Sequence, residues 1–287
     1  MAEKRDKMKY KIALAQINSD ADIAGNMKKI EKMIQEAANG GAELIAFPEN
    51  SEYIGTDYPG NAQTVPGAVT DAFAGWAKKY RIYIHCGSIT QKREAGTPYN
   101  TSFLWNKEGK EIGRYSKLHM FDISIDDGPS YKESDETSAG NEIVVSRTKL
   151  GCFGFAICYD MRFPEIFKLM AKAGAELIFV PADFTMNTGK DHWMPLLRSR
   201  AIENTCYIAA PGQIGQKPEF AAYGKSMVID PWGNVIAMAS DEEQVIFAEI
   251  DTDLIQKVRR QVPSLQNVRT DIYTLTSDHV KVYKEEA

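Results

Sequence analysis

Apolar residues fall along this chain in two alternating rhythms. Lys11–Gln16 (KIALAQ) reads as a buried strand, and Asn26–Ala38 as a helix, with Ile30, Met33, Ile34 and Ala37 at i, i+3, i+4 and i+7 and Gly40–Gly41 as its stop. Glu43–Phe47 is a short strand closed by Pro48. Phe73, Trp76, Ala77 and Tyr80 make Thr70–Tyr80 a second helix, and Ile82–Ile89 reads as a strand. Ser102–Trp105 and Glu111–Tyr115 flank the turn Asn106–Gly109 as a hairpin. Lys117–Gly140 is long and rich in charge, Gly, Pro and Ser, and loops of that length inside a domain are commonly functional.

The second half repeats the alternation. Strands are expected at Ile143–Ser146, Phe153–Ile157, Glu176–Val180, Tyr207–Ala210, Ser226–Ile229, Val235–Met238 and Val245–Ile250. Helices are expected at Pro164–Ala173, His192–Asn204 and Asp253–Gln261, followed by a polar tail over 274–287. Gly41–Pro48 (GAELIAFP) is echoed by Gly174–Pro181 (GAELIFVP), each after a helix, and the hairpin turn at Asn106–Gly109 is echoed at Asp230–Asn234. Two related halves with no linker between them predict one α/β domain over 1–287, a four-layer αββα sandwich whose two sheets share a core.

Composition narrows the function classes. The 287 residues are 44% hydrophobic and 25% charged, which is ordinary for a globular domain and argues against disorder. A net charge of −5 disfavours nucleic acid as a partner. No apolar run is long enough to span a membrane, and the charged stretch Met1–Lys11 lacks the apolar core of a signal peptide. Cys86, Cys152, Cys158 and Cys206 are dispersed without a CxxC pair, so reduced thiols in the cytoplasm are expected and no metal site is suggested.

Three reactive side chains stand just past strand ends, where open α/β sheets hold ligands: Glu49 after ELIAF and Pro48, Lys117 after the hairpin, and Cys158 between a strand and a helix. A helix N-terminus and a nearby cation favour thiolate, and the following N–H, that of Tyr159, can face an oxyanion. With Phe47-Pro48-Glu49, Lys117-Leu118-His119 and the run from Cys158 through Glu165 (CYDMRFPE), the chain resembles the nitrilase superfamily of carbon–nitrogen hydrolases over about Lys9 to Tyr273. Within it, Asp183–Gly189, His192-Trp193, Arg198–Asn204 and Asp230–Gly233 resemble the Nit branch, which contains ω-amidase and deaminated-glutathione amidase.

The resemblance implies the αββα sandwich, a Glu49–Lys117–Cys158 triad working without cofactor or metal, and a homodimer or higher homo-oligomer. It implies that Cys158 attacks, that Glu49 moves protons, that Lys117 and the Tyr159 N–H hold the oxyanion, and that Glu133 supports the lysine. Arg162, Phe184, Thr188 and His119 are the expected substrate contacts, with Arg162 clamping a substrate carboxylate. The reaction implied is hydrolysis by water of a small carboxylate-bearing amide, first an ω-amide of a 2-oxo dicarboxylate. Deaminated glutathione, N-carbamoyl amino acids and, further off, nitriles are alternative substrates, since Asp183 and Asn187 depart from the ω-amidase pattern. A non-catalytic interaction protein on this fold would be expected to lack one of the three reactive residues, and all three are present.

Overall fold

Alternation in the first strand sets the layers. In β1 (Lys9–Gln16), Ile12 and Leu14 belong to one apolar core and Ala13 and Ala15 to another, all four fully buried. A strand covered on both faces lies inside a stack of layers. The computed structural model describes residues 9–124 and 130–286, so the first eight residues of the N-terminal stretch considered above lie outside it.

From β1 the chain runs through α1 (Ile23–Asn39) to β2 (Leu44–Ala46) and through α2 (Ala68–Tyr80) to β3 (Tyr83–His85), three parallel neighbours. The α1 stripe is the expected one, with Ile30, Met33, Ile34 and Ala37 buried, and Asp22 caps its start by accepting from the Gly25 N–H. β4 (Ile89–Gln91), β5 (Tyr99–Trp105) and β6 (Glu111–Ser116) extend this sheet antiparallel. A two-stranded ribbon, β7 (Asp122–Ser124) and β8 (Ser130–Lys132), stands apart from it.

The second sheet repeats the plan. β9 (Ile143–Arg147) and β10 (Cys152–Phe155) lead through α3 (Pro164–Lys172) to β11 (Leu177–Phe179), then through α4 (Met186–Thr188) and α5 (Met194–Asn204) to β12 (Tyr207–Ala210). The ribbon of β13 (Ile214–Gln216) and β14 (Ala221–Tyr223) precedes the hairpin of β15 (Met227–Ile229) and β16 (Val235–Met238). β17 (Gln244–Asp251) returns to pair with β1, and α6 (Thr252–Gln261) and β18 (Val280–Lys284) close the chain. The sheet orders are β17-β1-β2-β3-β5, with β4 and β6 both on β5, and β16-β15-β12-β11-β10-β9-β18.

The echoed sequences form β2 and β11, each the middle of three parallel strands. Side chains from both sheets interlock, and the His85 ring on one stacks on Phe179 of the other at 4.2 Å between centroids. The outer face of the first sheet packs on α1 and α2, and Phe167 of α3 and Leu197 of α5 join the core of the second. The architecture is the expected αββα sandwich.

Four local readings change. The strand expected over Ile82–Ile89 breaks at Cys86–Ser88, where Gly87 adopts φ +77 and a Cβ would lie 1.8 Å from the Pro48 carbonyl oxygen. Only glycine permits that approach. Part of the long Lys117–Gly140 segment is the ribbon of β7 and β8, and its residues 125–129 lie outside the described residues. The helix expected from His192 starts at Met194, after a π-helical turn at Gly189–Trp193. The tail carries β18, parallel to β9, and the Glu285 carboxylate beyond it accepts from Tyr83 Oη at 3.0 Å.

Candidate active site

The broken strand and its glycine bring Glu49 into place. Ser51 is tied to the Cys86–Ser88 loop through its N–H to the Ser88 carbonyl and its Oγ to the Cys86 carbonyl. Glu49 is buried, and each carboxylate oxygen is engaged. Oε1 accepts from Lys117 Nζ at 2.9 Å and Asn100 Nδ2 at 2.8 Å, and Oε2 accepts from the Asp183 N–H at 2.9 Å. Lys117, at the end of β6, donates its own N–H to the Asn100 carbonyl, so one asparagine positions both members of the pair.

Glu133 follows β8 and meets Lys117 Nζ with both oxygens, at 2.9 and 2.8 Å, while Oε2 also accepts from the Phe121 N–H at 2.7 Å. Burial alone pulls the Lys117 proton off, but the carboxylates of Glu133 and Glu49 outweigh it and hold the ammonium well above the ordinary lysine range. A buried cation between two carboxylates is a compensated arrangement, and loss of one member leaves an unpaired charge.

Cys158 opens a 3-10 turn, Cys158–Arg162, between β10 and α3. It sits in the left-handed region at φ +47, and its N–H is held by the Pro181 carbonyl at 2.8 Å. A non-glycine residue in that region at a strand-to-helix turn is strained, and such strain clusters at functional sites. Asp160, fully buried, fixes the turn. Its Oδ2 accepts from the Ile157 N–H at 2.9 Å and from Tyr115 Oη at 2.6 Å, and its Oδ1 accepts from the His119 N–H at 3.0 Å. Tyr115 and His119 belong to the first half, so Asp160 pins the thiol of one half to the lysine segment of the other.

The thiol is hydrogen-bonded to Glu49, and burial, then the Glu49 charge, push it well above the ordinary cysteine range despite Lys117. The helix-activated thiolate anticipated from sequence is therefore replaced by a resting thiol with a carboxylate base attached. The Tyr159 N–H is in the leading turn of the 3-10 segment, whose first amides have no partner within the helix.

Glu49, Lys117, Glu133, Cys158, Tyr159, Phe184 and Thr188 all line one cavity, together with Tyr58, Phe121, Tyr131 and Phe220. Thr188 Oγ1 lies 3.2 Å from Thr185 Oγ1, beside the π-helical turn. Two of the expected substrate contacts are elsewhere. His119 stacks flat on Phe163 at 3.6 Å and pairs its Nδ1 with Asp160 Oδ1 at 2.7 Å, which makes it a support of the turn. Arg162 lies over the rings of Tyr159 and Phe184, with Nη1 3.4 Å from His192 Nδ1, behind the aromatic wall and outside the cavity lining. The 3-10 turn delays the start of α3 to Pro164, so Arg162 is not carried back over the thiol as a helical turn would carry it.

The polar lining residues that escaped the sequence reading as site residues include Asn100, Asp183 and Lys217. Only Asp183 left a trace, as a departure from a family pattern. Lys217 is buried and donates to Asn18 Oδ1, the Ser19 carbonyl and Gln213 Oε1 at 2.9–3.1 Å. Among the described residues no cluster of His, Cys, Asp and Glu is arranged to hold a metal ion.

Residues 11–260 match the family model for carbon–nitrogen hydrolases. This chain belongs to the carbon–nitrogen hydrolase family. The hydrolase is 39% identical over 265 residues to a deaminated glutathione amidase of Synechocystis, covering 90% of this chain and 97% of that protein. It is 34% identical over 271 residues to the mouse omega-amidase NIT2, covering 93% and 98%. Among solved structures it is similar to Saccharomyces cerevisiae Nit3, a member of branch 10 of the nitrilase superfamily, with a TM-score of 0.83 at 31% identity, covering 91% of this chain and 96% of that one. The hydrolase is thus an amidase-type enzyme acting on carbon–nitrogen bonds other than peptide bonds.

Proposed function

We propose that the hydrolase releases ammonia from a small primary amide through a Cys158 thioester. The observation that carries this reading is Glu49, which pairs with Lys117 Nζ and lines one cavity with the Cys158 thiol, whose ionisation its charge opposes. Glu49 takes the thiol proton as sulfur attacks the amide carbon, and the carbonyl oxygen becomes an oxyanion beside Lys117 and the Tyr159 N–H. As Glu49 becomes neutral its hold on the ammonium weakens, so the Lys117 charge is freed for the oxyanion as that charge forms. Glu49 then protonates the nitrogen, the C–N bond breaks, and ammonia leaves a thioester. Water, giving a proton to Glu49, attacks the thioester, and the proton returns to sulfur as the acid departs. Glu133 keeps Lys117 charged and in place throughout.

The favoured substrates are ω-amides of 2-oxo dicarboxylates or deaminated glutathione, supported by the names of the relatives. Ammonia release is to be measured across 2-oxosuccinamate, 2-oxoglutaramate, deaminated glutathione, N-carbamoyl amino acids and nitriles. Turnover of an amide is the expected result, and a chain that releases ammonia from none of them overturns the proposal. The placement of Arg162 adds a prediction: Arg162→Ala slows charged and neutral amides to a similar degree, because it acts by bracing Tyr159 and Phe184. A selective loss for charged substrates, seen in kcat/KM, would restore the clamp read from sequence.

We further infer a single catalytic domain that self-associates in the cytoplasm. Self-association is supported by exposed Met194 and Ile202 on α5, Trp232 on the adjoining turn and Ile236 and Met238 on β16. Cys86, Cys158 and Cys206 are buried unbridged thiols, which suits a reducing compartment. Among the described residues no helix is long and apolar enough to cross a membrane.

A further inference from the structure

The carboxylates of the cavity differ in what already occupies them. Glu49 takes Lys117 and Asn100 on one oxygen and the Asp183 N–H on the other, and the Cys158 thiol besides. Both oxygens of Glu133 serve Lys117, and one also serves Phe121. Asp183 is the exception: its Oδ1 is buried, and no described residue donates to it. The neighbouring cation, Lys217, gives its protons to Asn18, Ser19 and Gln213. A buried carboxylate oxygen without a donor is costly, and where it lines an active-site cavity the donor is expected on the ligand.

We propose that Asp183 Oδ1 accepts the hydrogen bond of the substrate's carboxamide nitrogen, which makes Asp183 the residue that selects amides. The inference rests on the amidase reading and deepens it. A bound carboxamide offers one oxygen, which goes to Lys117 and the Tyr159 N–H, and two N–H donors, which then face away from them. Glu49 cannot serve those donors at rest, since its acceptors are taken. Asp183 stands beside Glu49, joined to it by its own backbone N–H, and lines the same cavity as the base that will protonate the departing nitrogen. The leaving nitrogen gains an N–H and positive charge as Glu49 protonates it, so a carboxylate there is a better partner in the transition state than in the ground state. An ester has no N–H to offer and would leave this oxygen unpaired.

Burial raises the Asp183 carboxyl to about 7, with Lys217 and Lys117 drawing it down and Glu49 pushing it up; the Tyr58 phenol also faces it. Only the ionised form is purely an acceptor. Amide turnover is therefore expected to fall as pH drops through about 7.

The test compares succinamate with monomethyl succinate, which share an acyl group and differ in the leaving atom. Asp183→Ala leaves the backbone N–H that orients Glu49 in place. It is expected to lower kcat/KM for the amide about 10- to 100-fold and for the ester far less, so that the amide-to-ester ratio drops at least about tenfold. Asp183→Asn retains a carbonyl acceptor, so it should recover part of the amide rate and abolish the acidic fall near pH 7. Equal losses on both substrates, or an unchanged ratio, overturn the inference while leaving the amidase reading intact. A wild-type chain that cleaves neither and forms no acyl adduct overturns both.

Discussion

A Cys158→Ala chain is expected to fold normally and to hydrolyse no amide. The substitution removes a sulfur and retains the Cβ, so the left-handed backbone at φ +47 is no more strained than before and the Pro181 hydrogen bond stays. The packing loss is small, roughly 1 kcal/mol for one buried heavy atom. What disappears is the atom that Glu49 deprotonates, and no other thiol substitutes for it. Burial raises Cys86 far above the ordinary cysteine range and Cys206 to about 12, and neither lines the cavity. Intact mass after incubation with a slow amide is expected to show one acyl group per wild-type chain and none on the variant, with helix content equal. Cys86, Cys152 and Cys206→Ala retain turnover. An adduct on Cys158→Ala, or ammonia release above a thousandth of the wild-type rate, would remove the thioester from the mechanism.

Lys117→Ala is expected to fail twice over. Loss of an oxyanion donor in a closed site costs roughly two to three powers of ten in kcat. The same change leaves Glu49 and Glu133 facing each other without the ammonium that joined them at 2.8–2.9 Å, inside the protein. Breaking a buried pair on one side costs about 3–5 kcal/mol, so denaturant midpoints fall as well. Lys117→Met, which keeps the bulk, separates the two effects only in part. Glu133→Gln with Lys117 intact is the cleaner control, since the lysine keeps Glu49 and loses one partner. A Lys117→Ala chain of wild-type stability would mean that the lysine is not what holds the two carboxylates together.

Periodicity carried the fold because the sheets are buried on both faces. β2 and β11 are short and wholly apolar, β1 is apolar from Ile12 to Ala15, and the duplicated GAELI segments stand at equivalent places in the two sheets. The misreadings come from contacts distant in sequence. The break at Gly87 is dictated by the carbonyl of Pro48, and β18 pairs with β9 across more than a hundred residues of chain. Candidate site residues inside distinctive local strings, Glu49, Lys117 and Cys158, were legible, and they line one cavity. Asn100 and Lys217 are single polar residues in undistinguished surroundings, brought in by the hairpin and by the loop after β13. His119 and Arg162 lie off the cavity lining for the converse reason. Closeness along the chain to Lys117 and Cys158 put them on the cavity, and a 3-10 turn with an aromatic wall puts them behind it.

Glu49 and Lys117 hang from one sheet and Cys158 from the other, with Asp160, Tyr115 and His119 as the clasp between them. The first half of the chain therefore carries the proposed base without the proposed nucleophile, and the second the thiol without the base. On the proposed mechanism, reactivity then requires the two halves to be docked. Specific activity then counts docked molecules rather than folded helices. A one-residue slip of a strand would turn its side chains to the opposite face and, on the proposed mechanism, part the base from the thiol.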